Sequence, residues 1–193
     1  HVLGVAAVEN QVFDAVICAI SPHRLSDLSV LLADGATYHG WTACQACVKQ
    51  MSYQPIYTVY LQYPPSFRLS APMLGLLNGL GQWVFDRGQF AQQAGLLAVV
   101  VSAEGAHQAL SHAELVQRIE AQLAQALALS LPPLLCWQVI AEKRATFSCT
   151  AGLQRPSTDI GIAQFALAGD MVHSDYPATL EGAVRSGLQA TEH

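Results

Sequence analysis

Hydrophobic positions along this chain fall into short runs and one long periodic stretch. Phe13 to Ile20 (FDAVICAI) is a continuous, β-rich apolar run, the pattern of a strand buried on both faces in a parallel sheet. Ser21-Pro22 ends it, and Arg24 to Leu32 reads as a short helix. Gly35 starts a polar turn, and Trp41 to Met51 reads as a second helix. Pro55 to Tyr63 (PIYTVYLQY) alternates aromatic and β-branched residues and predicts a strand, which Pro64-Pro65 breaks. Pro72 to Leu77 and Gln82 to Asp86 predict two strands joined through Asn78-Gly79, a favoured hairpin dipeptide. Gly95 to Ser102 predicts another. Four strands with short connections imply an antiparallel sheet. Ser111 to Leu129 carries the clearest helical period. Leu115, Ile119, Leu123 and Ala126 fall on one face, and Ser111 with Glu114 forms a capping box. Leu134 to Cys149 holds a long strand candidate, WQVIAEKRATF. The chain closes with a strand over Gln164 to Ala168, a Gly169-Asp170 turn, and a helix from about Pro177 to Ala190.

The order is therefore an α/β piece, an antiparallel sheet with a helix, and an α/β piece again. The simplest topology with that order is a lobe inserted into a dinucleotide-type fold, whose two ends share one sheet. No internal repeat or low-complexity linker interrupts it.

Composition narrows the function classes. The 193 residues are 52% apolar and only 12% charged, against about 25% charged in an average soluble domain. Disorder is excluded, because disordered chains are poor in apolar residues and rich in charge. The scarcity of charge points to a missing partner, a lipid-like ligand or a membrane surface. Nine Lys+Arg against fourteen Asp+Glu give a net charge of −5, which excludes a nucleic-acid binder in need of a basic face. Gly95 to Ala103, the densest apolar stretch, is about half the roughly 20 residues of a spanning helix. The chain opens on His1 without a charged n-region and apolar h-region, and the start reads as a boundary inside a larger protein. Five cysteines, an odd count, predict free thiols in a reducing, cytoplasmic setting.

Several motifs carry no chemistry. Cys44-Gln45-Ala46-Cys47 is a CxxC in mid-helix, without the second ligand pair of a zinc site, and reads as ordinary buried thiols. No metal site is predicted. GxSxG, HExxH and GxxxxGK[ST] are absent. Gly75 to Gly81 lacks GxGxxG spacing and reads as a hairpin turn. His107 and His112 flank a helix start and read as loop and capping residues. For Asp86 and Arg87 a salt-bridge or turn role is expected. The aromatic residues of Pro55 to Tyr63 suit either half-buried sheet packing or a ligand wall.

The informative segment is Phe165 to Gly187, FALAGDMVHSDYPATLEGAVRSG. A short apolar strand ends at Gly169, where a backbone can approach a ligand closely. Asp170 follows at the carboxyl end of the strand, where α/β sheets place their ligands and a carboxylate can accept hydrogen bonds from hydroxyls. Pro177 suits a first helical turn. The helix that follows offers free N–H groups and a positive dipole end, and Ala178, Gly182 and Ala183 are small enough for close approach. A plain strand-turn-helix that merely closes a sheet explains these residues about equally well.

This segment resembles the C-terminal FAD motif of the flavin-containing amine oxidase and phytoene desaturase superfamily. The resemblance implies that Gly169 and Asp170 contact the ribityl-pyrophosphate region of the cofactor. It implies that Pro177, Ala178, Thr179 and Leu180 lie against the isoalloxazine ring, mostly through backbone groups, with Glu181 and Gly182 completing the motif. A reduced flavin is negatively charged at its N1–C2=O edge, which a helix N-terminus stabilises. Phe13 to Pro22 is similar to the superfamily's FDAVVLAxPP segment. GQWVFDRG (Gly81 to Gly88) and EKRATF (Glu142 to Phe147) resemble squalene-associated FAD-dependent desaturases, also described as hydroxysqualene dehydroxylases. Two departures stand out. The family's N-terminal GxGxxG and its distal acidic residue are not in this sequence. His173-Ser174-Asp175 also replaces the more usual Thr-Gly-like residues before the helix.

The fold class implied is α+β: an antiparallel-sheet substrate lobe with a packed helix, flanked by two pieces of a Rossmann-like FAD-binding domain that lacks its GxGxxG half. The boundaries expected are 1–33 (end of the FAD-binding domain), 34–150 (substrate lobe) and 151–193 (C-terminal FAD motif and helix). The function implied is that of the C-terminal part of an FAD-dependent oxidoreductase acting on a long isoprenoid such as hydroxysqualene or another squalene or carotenoid precursor. Tyr57, Leu77, Trp83 and Phe85 are the candidate lining of an apolar substrate wall. No residue stands out as a catalytic acid or base. Alone, this piece is expected to be inactive and to bind FAD weakly or not at all. Peripheral contact with the inner face of the membrane, and a homodimer through exposed apolar surface, are the further partners to be tested. The competing reading is a stand-alone apolar-ligand carrier or interaction domain without redox chemistry.

Overall fold

A computed structural model describes residues 6–8, 11–30 and 38–192. In chain order its elements are β1 (Ala6–Val8), β2 (Gln11–Phe13), β3 (Val16–Cys18), α1 (Pro22–Leu25), α2 (His39–Lys49) and β4 (Tyr53–Gln62). Then follow β5 (Met73–Gly75), β6 (Trp83–Asp86), α3 (Arg87–Ala91), β7 (Leu96–Ser102), α4 (His112–Leu127), β8 (Cys136–Phe147), β9 (Phe165–Leu167) and α5 (Leu180–Ala190). The chain divides into two compact units. One comprises His1–Ser52 with Phe147–His193, the other Tyr53–Thr146.

In the first unit β3 pairs in parallel with β9, Val16 opposite Phe165 and Cys18 opposite Leu167. The Val16 amide donates to the Gln164 carbonyl and the Ala168 amide to that of Cys18, extending the pairing at both ends. The predicted strand Phe13 to Ile20 is thus two strands. A bend at Asp14 separates β2, which pairs antiparallel with β1, from β3. Nor is the run buried on both faces. Cys18 is buried, but Ile17 is 45% exposed. The predicted helix Arg24 to Leu32 stops at Leu25. The amides of Asp27 and Leu28 turn back tightly onto the carbonyls of Arg24 and Leu25. Gln45, on α2, donates to the carbonyls of Leu25 (3.2 Å) and Leu28 (3.1 Å), capping this end. Residues 31–32 of that helix and the turn at Gly35 lie outside the described residues. The helix α2 forms as expected. Its Trp41 is buried edge-on against Phe165, ring centres 5.8 Å apart. Cys44 is buried, and desolvation, then the neighbouring Cys47, push its thiol up to about 12. Such a thiol is inert at neutral pH.

The second unit is a five-stranded sheet in the order β5-β6-β7-β4-β8. The β5–β6, β6–β7 and β7–β4 pairings are antiparallel, with Val59 opposite Val99 and Val84 also opposite Val99. Side chains alternate between the two faces of a strand. Val59, Leu61, Val84, Leu97, Val99 and Val101 therefore share one face. There they pack with Leu115, Val116, Ile119 and Leu123 of α4 into the core. The capping box forms as expected: Ser111 Oγ accepts from the Glu114 amide, and Glu114 Oε2 accepts from the Ser111 amide (2.9 Å). Ala126, expected on the buried face, is exposed, and Val116 and Gln122 complete that face instead.

The β5–β6 hairpin is present, but not through a two-residue Asn-Gly turn. Asn78 takes a positive φ (56°), Gly79 does not, and the closing bond runs from the Leu76 amide to the Gln82 carbonyl. Gly79 is required by packing. A Cβ there would lie 2.1 Å from Cδ of Gln122. Gln122 accepts from the Gly81 amide (2.9 Å) and donates to its carbonyl (2.8 Å), so this glycine-rich loop is the seat of an α4 side chain.

Asp86 is fully buried at the N-terminus of α3. Its carboxylate accepts from Gln89 Nε2 (2.8 Å), the Gly88 amide (2.9 Å) and the Leu69 amide (3.0 Å). This is the expected turn role. Arg87 instead donates to Gln93 Oε1 (2.9 Å). Burial alone would raise the Asp86 pKa, but hydrogen bonds from Gln89 and from the Leu69 and Gly88 amides outweigh it and hold the group below the usual carboxylate range. A depressed folded pKa gives stability that is present above the unfolded pKa of about 3.9 and lost as pH falls through the folded pKa. Asp86→Asn is expected to cost about 2–4 kcal/mol at pH 7, because an amide offers one acceptor where three donors converge. Urea unfolding of both proteins from pH 7 down to pH 3 checks this. The gap should narrow at the acid end.

Candidate functional site

The C-terminal segment builds a strand-loop-helix whose parts are fastened to one another. β9 ends at Leu167, and Gly169 takes φ +138°, a conformation that L side chains rarely adopt. Its amide donates to Ser186 Oγ (2.8 Å), and that hydroxyl lies within hydrogen-bond distance of the carbonyls of Gly169 (2.9 Å) and Ala183 (2.8 Å). Ser186, buried on α5, thus locks the helix to the carboxyl end of β9. Asp170 is half-buried. Desolvation raises its pKa, opposed by the amides of Asp170 and Met171. Around an added Cβ at Gly169 the nearest atoms are those of Met171, 3.9 Å away, so the backbone there is open to a close neighbour.

The helix begins later than its sequence suggests. Pro177 and Ala178 form the preceding turn, with Ala178 at φ 55°, and α5 starts at Leu180. Thr179 is the N-cap, its Oγ1 accepting from the Gly182 amide (3.0 Å) and donating to the Tyr176 carbonyl (2.8 Å). The amides of Leu180 and Glu181, in the first turn, have no intrahelical acceptor by geometry. Glu181 accepts from Arg185 Nε (2.6 Å), and Arg185 also lies over the Tyr176 ring at 4.6 Å. Gly182 is small for a local reason. A Cβ would sit 2.1 Å from the Tyr176 carbonyl oxygen, so the pre-helix loop fills that space. Leu180 (88% exposed), Val184 and Leu188 form an exposed stripe along α5.

The eight expected cofactor residues therefore gather in one place. Gly169 and Asp170 follow the strand, Pro177 and Ala178 make the turn, and Thr179 to Gly182 start the helix. A carboxylate at a strand end beside free helix amides suits a ligand with hydroxyls and a delocalised negative charge. Ser186 and Arg155 were not singled out by the sequence. Nothing in their local spacing signals a reach of 17 residues to Gly169 or Val172.

The four expected lining residues separate. Trp83 (45% exposed) and Phe85 lie on the sheet face away from α4, opposite Val100 and Ala98. The Trp83 ring lies over Gly75, and Phe85 is 6.2 Å from the Phe90 ring. Tyr57 is on the α4 side, edge-on to His107 at 4.8 Å. Burial lowers the His107 pKa. Leu77, 80% exposed, sits in the β5–β6 loop. A cleft of about 420 Å³ lined by Tyr60, Gln62, Arg87, Leu96, Trp137 and Ile140 opens on the second unit. Period-two alternation along β4 could have selected Tyr60 in place of Tyr57. Among the described residues there is no cluster of three or more metal-ligating side chains, and no helix long and apolar enough to cross a membrane.

Residues 3–193 match the family model described as flavin containing amine oxidoreductase. The hydroxysqualene dehydroxylase of Sinorhizobium fredii is 35% identical over 125 residues, 63% of this chain and 28% of that protein. That of Zymomonas mobilis is 33% identical over 144 residues, 72% of this chain and 32% of that protein. The chain thus spans about a third of the length of the curated relatives it matches. Among solved structures, cyclohexylamine oxidase from Brevibacterium oxydans superimposes with a TM-score of 0.68 at 14% identity, over 94% of this chain and 42% of that one. At that identity the likeness shows the fold.

Gly182→Ala tests the packing of the loop on α5. The added methyl meets a backbone carbonyl that cannot rotate away, so a loss of about 1–3 kcal/mol is expected in thermal or urea unfolding.

Proposed function

Because the chain belongs to the flavin containing amine oxidoreductase family, we propose that it is the C-terminal part of an FAD-dependent oxidoreductase acting on a long apolar isoprenoid such as hydroxysqualene. The observation that carries this reading is the coincidence of the family match with a built strand-loop-helix at Gly169 to Gly182. The hydroxysqualene dehydroxylases among its relatives support the substrate class.

In this reading 1–33 and 151–193 belong to the cofactor-binding part and 34–150 to the substrate lobe. Asp170 accepts hydrogen bonds from ribityl hydroxyls. Gly169 lets the cofactor approach the end of β9. The turn at Pro177 and Ala178, with the amides of Leu180 and Glu181, faces the ring system, where the positive end of α5 favours negative charge. Thr179 fixes the helix start, Glu181 holds Arg185, and Gly182 admits the loop that sets the turn. FAD, when bound, supplies two-electron redox chemistry, and the protein supplies position and electrostatics.

An isoprenoid has almost no polar handles. Its affinity must come from apolar burial, about 25 cal/mol per Å². The open face of the second unit, with Trp83, Phe85 and Tyr60, offers such a wall, bounded by the cleft that Trp137 and Ile140 line. Peripheral contact with a membrane would suit so apolar a substrate, and we keep it as part of the proposal.

The test uses the full-length protein. Visible flavin bands, with conversion of hydroxysqualene under anaerobic reducing conditions, are the expected result. Flavin bands without conversion would move the search to other isoprenoids, and a colourless protein would favour an apolar-ligand carrier. Two variants sharpen it. Asp170→Asn should weaken FAD binding roughly tenfold, about 1.4 kcal/mol. It should also flatten the loss of affinity that the parent shows as pH falls through the raised Asp170 pKa, since only the carboxylate form accepts without donating. Trp83→Ala should raise KM several-fold and leave kcat nearly unchanged, as loss of uniform apolar binding does.

A further inference from the structure

We propose that Arg155 is the positioning residue of the cofactor cradle. It fixes the loop between Asp170 and α5 and so sets the spacing between the two halves of the site. The proposal rests on the flavin reading above and extends it to a residue outside the Gly169–Gly182 motif.

Arg155 lies in residues 153–156, a segment without regular structure. Its Nη1 donates to the Val172 carbonyl (2.9 Å) and its Nη2 to the Ser174 carbonyl (2.7 Å). The next residue adds a third bond, with the Pro156 carbonyl accepting from the His173 amide (2.8 Å). Two residues thus hold three consecutive residues of the loop. The Val172 and Ser174 carbonyls converge on one guanidinium, whose planar fork presents two N–H groups that meet both at once. A lysine ammonium is a single point on a flexible stem and cannot bridge them in the same geometry.

The side chains of Met171 and Val172 are buried and anchor the start of the loop, and the Arg155 and Pro156 bonds hold the backbone that follows. Between β9 and α5 it carries no strand or helix. Val172 is bonded back to Gly169 (3.2 Å), and the Ala178 amide reaches the Asp170 carbonyl at 3.4 Å. Downstream the loop is wedged against the helix start. The Tyr176 carbonyl occupies the Cβ space of Gly182, and Ser174 Oγ accepts from the Tyr176 amide (3.3 Å). A displacement of Val172 to Ser174 is therefore carried on one side to Asp170 and on the other to the Thr179 cap. Those are the two groups expected to face the ribityl chain and the ring. Arg155 takes part in neither ion pair found among the described residues. Its guanidinium is met by carbonyl dipoles.

The experiment is FAD titration of the full-length apoprotein by flavin fluorescence quenching, for the parent, Arg155→Lys and Arg155→Met, with visible spectra of the loaded proteins and melting curves of the apoproteins. The expected result is a rise of about tenfold or more in the FAD Kd for both variants and a loss of fine structure in the visible flavin band, with apoprotein melting points close to the parent. Arg155→Lys keeps the charge and should fail nearly as badly as Arg155→Met, because the fork is what matters. Unchanged Kd and spectrum in both variants would overturn the proposal. So would rescue by lysine to parental affinity, which would make the residue a charge and not a clamp, or apoprotein melting that falls in step with affinity, which would make its role purely structural. Failure of the parent itself to bind FAD would overturn the flavin reading and this inference together, an outcome separable from all the others.

Discussion

Three pairs of residues in parallel register hold the first unit together. Val16, Ile17 and Cys18 lie beside Phe165, Ala166 and Leu167, so segments from opposite ends of the sequence become one sheet. The amide of Val16 and that of Ala168 extend the ladder past both ends. Without this pairing β9 has no strand partner among the described residues, and the glycine that follows it loses its support. The helix α5 depends on the same pairing at one remove, because Ser186 binds it to the backbone of Gly169. Long-range pairing of this kind is entropically costly to close. It is compensated here by burial of Leu167, Ala166 and Ala168, and by Trp41 against Phe165.

The second unit solves a different problem with the same alternation. One face of its sheet is dense with Val, Leu and Tyr and is closed by α4. The other carries Trp83, Phe85 and Tyr60 and stays open. That aromatic face lies away from α4, with Phe90 of α3 beside Phe85. The polar contacts in this unit hold loops. Asp86 gathers three donors at the start of α3, and Gln122 pins both polar groups of Gly81. These groups are buried and satisfied, which gives Gly81 and Asp86 of GQWVFDRG a local structural role.

The segment from Gly169 to Gly182 combines two kinds of constraint. Gly169 is dictated by its backbone angle, and Gly182 by the chain's own loop. Both would be needed in an empty site as much as in a filled one. Asp170 is different. It is half-buried, its ionised form is disfavoured by desolvation, and only backbone amides offset this. Hydroxyl donors from a bound ligand would relieve that deficit.

Local physics made much of this legible in the sequence. Period-two alternation marked β4 and β7, and the 3.6 period and capping box marked α4, whereas the local pattern at Gly169-Asp170 fitted a plain strand-turn-helix equally well and only the resemblance of Phe165 to Gly187 to a known FAD motif singled it out. These signals are local because each depends on neighbours within a turn or a strand. What failed depended on distant partners. The Phe13 to Ile20 run could not reveal that it bends at Asp14, since the break is set by two different pairing partners. The predicted Arg24 to Leu32 helix ended early under a cap supplied by Gln45. Tyr57 and Trp83 look alike as aromatic strand residues, and only the register with β7 puts them on opposite faces. Arg155 left no trace in the pattern, because its two carbonyl partners lie beyond any local window and accept through backbone groups common to every residue. The sequence by itself determined most of the elements, and its resemblance to a known family supplied the candidate chemistry. The tertiary structure alone decided which faces are covered and which side chain holds the loop, because both are settled by contacts between residues that local periodicity cannot connect.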